Sequence, residues 1–511
     1  MTALEPAGLS DDGAPADIKA LASGGRTNFF GFLLRLVARM PFLFIAGRLY
    51  GAAALGRFAA AVIAVEFAAQ FATLGLKRGL AQELAQDPHH EANIVADGVL
   101  LSTVSSTLLA LALWAFPEPM FPASDQTWLE RLLAFTIVPL AVGDVALAAL
   151  AYKFDVASTV RARAVVEPWT LSIVAGLAWF VVPGSGLVLA YVASSLGATL
   201  TALFPLLRTY GMPHRWRPHP ITLGRLTVAN LPLAGADAVE WGTRKLDLAI
   251  LAQFAPATAV GVYYIAQQVA SLPAKLKTSF EPILGPVIAR NLGDGNFGAI
   301  AKALCQVGFW ITAAQAGVAL ALGLPAERVL SLIGPRFVGG TGALEFLLVA
   351  EVVAATAVVS EAALIYIAPI RNLLLSLMTI TLQALLTVTL IGLARRAPGW
   401  PLPWGWHVEP HTVPLVQAAA AAISLAVALA FASVAKGKLA SGLLASPVNN
   451  WRWALLWAAL PTLLLGYAFH QVNGWIELIA GIPAMLATYC FFIWRRGFGP
   501  EDRVLFRRKI G

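Results

Sequence analysis

The chain of 511 residues is 58% hydrophobic and 13% charged, with a mean hydropathy of +0.73. A soluble globular domain carries about 25% charged residues, so one soluble core is excluded as the home of this much apolar surface. The formal net charge of +8 could suit nucleic acid, but the basic residues gather at the ends of apolar runs instead of forming one basic face, which argues against a nucleic-acid partner.

Residues 1–28 are small and polar, with Asp11, Asp12 and Asp17, and lack the basic start and apolar stretch of a cleaved signal peptide. Apolar runs of roughly 20 residues, enough to cross about 30 Å of hydrocarbon as a helix, then recur along the chain. In order they fall near 29–50, 56–76, 96–117, 130–151, 166–183 and 187–207. After a basic, proline-broken stretch come 228–252, 259–280, 303–324, 343–367, 372–393 and 413–434, then 453–470 and 475–494. The runs are continuous and about twice the length of a barrel strand, so they predict an all-α polytopic membrane protein of about fourteen helices. The expected segments are an N-terminal tail (1–28), a first lobe of six helices (29–207), a linker (208–227), a second lobe (228–434), two further helices (435–494) and a basic tail (495–511).

Lys and Arg concentrate in the connections 77–95, 152–165, 208–225, 285–302 and 435–452 and in the tails, which predicts that both termini are cytoplasmic. Arg495, Arg496, Arg503, Arg507, Arg508 and Lys509 make the last tail the strongest vote, and membrane lipids are the partner such a tail meets. The longest connection on the other side, 395–411, is too short for a separate catalytic domain. Cys305 and Cys490 lie in separate apolar runs, as buried thiols do. No phosphate-cradling glycine loop with its lysine is present, and no cofactor or metal site is expected.

The two lobes share a weak repeat. Shifted by 205 positions, Leu55-Gly56-Arg57-Phe58 meets Val260-Gly261-Val262-Tyr263, Ala52 meets Ala257, and Arg39 meets Arg244. Both copies start on the same side, so the repeat is parallel, with its pseudo-twofold axis along the membrane normal and a substrate site expected between the lobes.

Charges inside the apolar spans cost at least about 2.5–3.5 kcal/mol each and therefore mark function or pairing. Arg35 and Arg39 share one helix face, about 9 and 15 Å deep from a helix start near residue 29. Glu66 and Asp144 are the acids that could pair with Arg39. Glu240, Arg244 and Asp247, at spacings of four and three, predict a salt-bridge ladder, with Lys245 pointing elsewhere. Lys275 and Lys277 read as topology markers, and Glu167, Glu345, Glu351 and Glu361 as further possible proton or cation sites. Arg35, Arg39, Arg244 and Lys245 are the candidate substrate-binding residues, because guanidinium suits phosphate oxygens. Glu66, Asp144, Glu240 and Asp247 are the candidate coupling or ion-pair residues.

The stretches 47–85 and 244–292, with Leu246-Asp247, Val260-Gly261-Val262-Tyr263, Ala266, Pro282 and Pro286, and the loop 329–340, resemble the polysaccharide transporter family of oligosaccharide flippases (Wzx-type) within the multidrug, oligosaccharidyl-lipid and polysaccharide exporter superfamily. The resemblance implies two six-helix lobes plus two helices, a cationic central cavity and alternating access. It also implies transport of polyprenyl-pyrophosphate-linked glycan for exopolysaccharide, capsule or lipopolysaccharide O-antigen, with a polysaccharide polymerase and export machinery as partners. The early motifs of lipid II flippases are missing. The arginines of the first helix would repel the cations that multidrug exporters carry. A cation-coupled drug or metabolite antiporter would need the acids as working residues, and a membrane polymerase or ligase would need catalytic groups on a large outer loop.

Overall fold

The computed structural model describes residues 40–122, 126–213, 216–274, 284, 288, 291–293, 295–399, 409–472 and 474–499. Arg35, Arg39, Lys275, Lys277, most of the basic tail and much of the 395–411 connection lie outside the described residues.

Helices α1 (40–50), α2 (Gly51–Ala72) and α3 (Leu76–Gln86) open the described chain. Then come α4 (Glu91–Ala115), α5 (Trp128–Tyr152), α6 (Val156–Val181) and α7 (Gly186–Tyr210). The second lobe comprises α8 (Pro220–Phe254), α9 (Ala257–Ala274), α10 (Phe297–Gly323), α11 (Ala326–Ile333), α12 (Thr341–Ile367), α13 (Pro369–Arg396) and α14 (Val413–Leu443). Helices α15 (Ala454–His470) and α16 (Gly474–Gly497) close the chain. Among the described residues ten stretches are long and apolar enough to cross a membrane, the first of them covering α1 to α3. Splitting that stretch at Gly51 and adding the shorter α15 and the more polar α8 and α9 recovers the fourteen expected spans in order. The fold is the all-α polytopic bundle that hydropathy predicts.

Most ends differ from the expected ones where a polar sequence continues a helix. The stretch 77–86, expected as a connection, is helix α3, set off from α2 by a turn in which Leu74 and Gly75 both take positive φ (51° and 76°). A side chain at Gly75 would be strained there and would also strike the backbone of Asn230. Helix α8 begins at Pro220, inside the expected linker, because proline is well suited to the first helical position. Helix α6 begins ten residues before its apolar run and passes through a wide π-type turn at Arg161–Val166.

The connections at Asp87–His90 and Lys153–Asp155 and the described residues between α7 and α8 meet at one end of the bundle, the basic end. There Lys153 pairs with Glu91 at 2.7 Å and the Trp216 indole donates to Asp97 at 2.8 Å. At the opposite end Tyr50 donates to the Ala175 carbonyl at 2.7 Å, and Arg48 to that of Leu332 at 2.8 Å.

Packing divides the molecule. Near the opposite end a single apolar core runs through both lobes, from Phe42, Leu55 and Ile137 to Leu251, Tyr263 and Ala421. Towards the basic end this core splits in two. One part lies around Leu80, Val145 and Leu206, the other around Ile300, Val359 and Ala440. Helices α15 and α16 form a separate core against α10, with Tyr489 filling the space that Gly317 leaves.

The repeat-related helices α2 and α9 cross where the lobes meet. A Cβ on Gly56 would stand 1.7 Å from the Ala257 carbonyl oxygen, and one on Gly261 would stand 1.9 Å from that of Ala52. Each contact is the other transposed by the repeat, as a twofold axis between the lobes requires.

Candidate functional site

Beyond the Gly56–Gly261 crossing the lobes diverge towards the basic end, and side chains facing the other lobe become accessible. Phe67 is three turns from Gly56 on the same side of α2 and is 37% exposed. On α8, the Glu240 and Arg244 side chains are 44% and 55% exposed. The cleft closes again near the basic end. There Arg78 of α3 places Nε 2.7 Å from Asp237 of α8 and also pairs with Glu240. Glu240 in turn binds Arg244 at 2.8 Å. Asp237, Arg78, Glu240 and Arg244 thus form an alternating chain of charge that joins the two lobes.

The expected ladder on α8 is therefore half realised. Arg244 pairs with Glu240, but Asp247 is fully buried and turns into the second lobe, where Tyr263 donates to it and Gln267 Nε2 lies at 3.2 Å. Seven residues from Glu240 span almost two turns, and Tyr263 and Gln267, one turn apart on α9, capture Asp247 in a lipid-excluded core. Lys245 is half-buried and binds no carboxylate among the described residues.

Asp144, one of the two acids that could pair with Arg39, is bound by Arg163, which also holds Glu167 at 3.0 Å. This three-charge cluster links α5 and α6 at the π-type turn. Glu66 on α2 is half-buried and makes no ion pair or hydrogen bond among the described residues. Glu361 is bound by Lys436 of α14 at 3.0 Å, and Lys436 also donates to Ser376. Glu345 is exposed on α12. Cys305 and Cys490 are unlinked, and the described residues contain no cluster of three or more potential metal ligands.

Sequence reasoning missed Arg78, Asp237 and Arg163. Arg78 and Arg163 fell in stretches expected as basic connections. The spacing of Arg163 and Glu167, one helical turn, was the available signal for the second pair. Trp241 was also missed. It meets Phe67 of the other lobe with ring centroids 4.4 Å apart, one turn from Arg244 and Lys245.

Two six-helix lobes related by a parallel twofold, crossing near one end and bridged by charges near the other, with two accessory helices, make this an all-α polytopic bundle. The folds of known transporters agree. A lipid II flippase, MurJ, in an inward closed conformation matches with a TM-score of 0.68 at 12% identity, over 94% of this chain and 98% of that one. An inward-facing multidrug resistance MATE family transporter of the MOP superfamily matches at TM-score 0.63 and 14% identity, over 81% and 98%. A MOP superfamily transporter from Pyrococcus furiosus, described by a binding pocket of reversed polarity, matches at 0.56 and 15%, over 84% and 96%. Residues 45–297, just under half of the chain, match the model of the family described as "Polysaccharide biosynthesis protein". A comparison with curated protein sequences finds no match.

Proposed function

We propose that the protein carries polyprenyl-pyrophosphate-linked oligosaccharide from the cytoplasmic to the periplasmic leaflet of a bacterial inner membrane, for exopolysaccharide, capsule or O-antigen assembly. The observation that carries this reading is the pair of adjacent cations, Arg244 and Lys245, beside the cleft between the lobes of a chain matching a polysaccharide-biosynthesis family. Guanidinium binds phosphate oxygens in pairs and keeps its charge when desolvated, and an ammonium adds a second point of attraction. Arg35 and Arg39, on the helix that the repeat relates to α8, complete the headgroup site from the first lobe. The basic end faces the cytoplasm, by the excess of Lys and Arg in its connections, and both tails lie there. The lobes are the units 29–207 and 228–434, and the polymerase and export machinery of the same polysaccharide receive the product. The protein makes and breaks no covalent bond.

The test is deletion of the gene, with surface polysaccharide and lipid-linked oligosaccharide both quantified, then restoration with wild type, Arg244→Ala, Arg39→Ala or Arg39→Lys at matched expression. Loss of surface glycan with accumulation of completed lipid-linked units, rescued by wild type and partly by Arg39→Lys, is the expected result. Unchanged surface glycan would refute it. One observation favours a second reading, a cation-coupled antiporter: Glu66 has no partner among the described residues, as a cation- or proton-binding carboxylate would require. Saturable binding of a lipophilic cation, abolished by Glu66→Gln, would move that reading forward.

A further inference from the structure

Three aromatic rings cross the lobe boundary beside the cationic pair. Phe71 and Phe67, one turn apart on α2, meet edge to face with centroids 4.9 Å apart, and Phe67 meets Trp241 of α8 at 4.4 Å. Phe67 and Phe71 are 37% and 41% exposed, on the side of α2 that turns towards the second lobe. The Trp241 ring is half-buried, yet its Nε1–H is buried without an acceptor among the described residues. An indole N–H buried in protein usually finds a partner, and an orphaned one costs about 1–3 kcal/mol. Purely apolar contact would not call for an indole here, since phenylalanine offers a similar face with no donor to desolvate. Trp241 lies three and four residues before Arg244 and Lys245, so all three project from one side of α8, within about 5.4 Å along its axis.

We propose that Phe71, Phe67 and Trp241 form a pyranose shelf. The sugar bonded directly to the pyrophosphate stacks on these rings, and Trp241 Nε1–H donates to one of its hydroxyls. This rests on the headgroup reading above. A sugar attached to a phosphate held by Arg244 and Lys245 must lie within about one helical turn of them, which is where the rings stand. The C–H face of a pyranose carries slight positive charge and complements the negative face of an aromatic ring. Because the shelf draws rings from both lobes, it is whole only while the lobes are close on this side, so a seated sugar would favour that arrangement over the parted one.

The test is calorimetric binding by the full-length protein in nanodiscs of two probes, farnesyl diphosphate and farnesyl diphosphate bearing a single galactose. Wild type is expected to bind the glycosylated probe several-fold more tightly. Trp241→Phe keeps a ring and removes the donor. It is expected to weaken binding of the glycosylated probe by about three- to tenfold and to leave the bare probe within about twofold. Phe71→Leu, a change at a half-exposed position, is expected to narrow the preference in the same direction. Equal losses for both probes would assign the rings to the prenyl chain or to packing, and unchanged binding would make them bystanders; either result overturns the shelf. Equal affinity of wild type for the two probes would leave the diphosphate site standing and remove the shelf alone. Binding of neither would remove both.

Discussion

Replacing Arg78 with alanine should open the cleft at the basic end. Arg78 is the cation that joins the first lobe to Asp237 and Glu240 of the second, and Asp237 is only 3% exposed. Removing one partner of a fully buried pair costs about 3–5 kcal/mol, but the Arg78 side chain is 47% exposed, so water screens much of this. A net loss of about 1–2 kcal/mol is expected, which multiplies the population of the opened state by about five to thirty. The assay is a single cysteine at Asn230, 3% exposed where α8 packs on the turn before α3, in a background with Cys305→Ser and Cys490→Ser. Its rate of modification by a hydrophilic maleimide should rise by that factor in Arg78→Ala and by less in Arg78→Lys, with Arg78→Glu the fastest. An unchanged rate in Arg78→Ala and Arg78→Glu would show that apolar packing alone closes this end.

Alanine at Gly56 or at Gly261 should force the lobes apart at their crossing, costing about 1–3 kcal/mol by overpacking and lowering the temperature at which the monodisperse chromatographic peak disappears. The pair should cost less than the sum, because both methyls wedge one contact. Arg163→Ala should remove the cation that stands between Asp144 and Glu167 and cost about 2–4 kcal/mol in the same assay, whereas Asp144→Asn, which relieves repulsion, should cost less. Asp155 caps α6 by accepting from the Ser158 amide at 3.0 Å, and its hydrogen bonds with Ser158 hold its carboxyl below the usual range. Asp155→Ala should cost about 0.5–2 kcal/mol at neutral pH. Because the folded carboxyl titrates below the unfolded one, that difference should persist above about pH 4 and shrink as the pH falls through the folded value.

Some of this molecule is written along the chain. The number and order of the spans follow from apolar length, because a bilayer admits only helices of about 20 residues with their backbone bonded internally. The excess of Lys and Arg marks one set of connections, and the repeat that pairs Gly56 with Gly261 states the symmetry and even names the two glycines that touch. The Arg244–Glu240 bond also follows from spacing, since residues one turn apart are neighbours wherever the helix lies.

Partnership across helices is where the sequence stops. Sequence offers Glu66 and Asp144 alike as acids for Arg39 and says nothing of Arg163, which the bundle delivers to the Asp144 carboxylate. Asp247 looked like the end of a ladder and is instead bound by Tyr263 and Gln267 from the next helix. Arg78 lay in a stretch expected as a basic connection, yet the turn at Leu74–Gly75 aims α3 so that this residue joins the lobes. Trp241 carried no signal until Phe67 of the other lobe met it. The sequence by itself determined how many membrane-length spans there are, their order and which pairs along one helix meet, because these depend on hydrophobic length and a local period of 3.6 residues. Which charges neutralise one another and which rings face the cleft was decided only by tertiary structure, because a buried group takes the partner that packing brings within about 3 Å, however far away it lies along the chain.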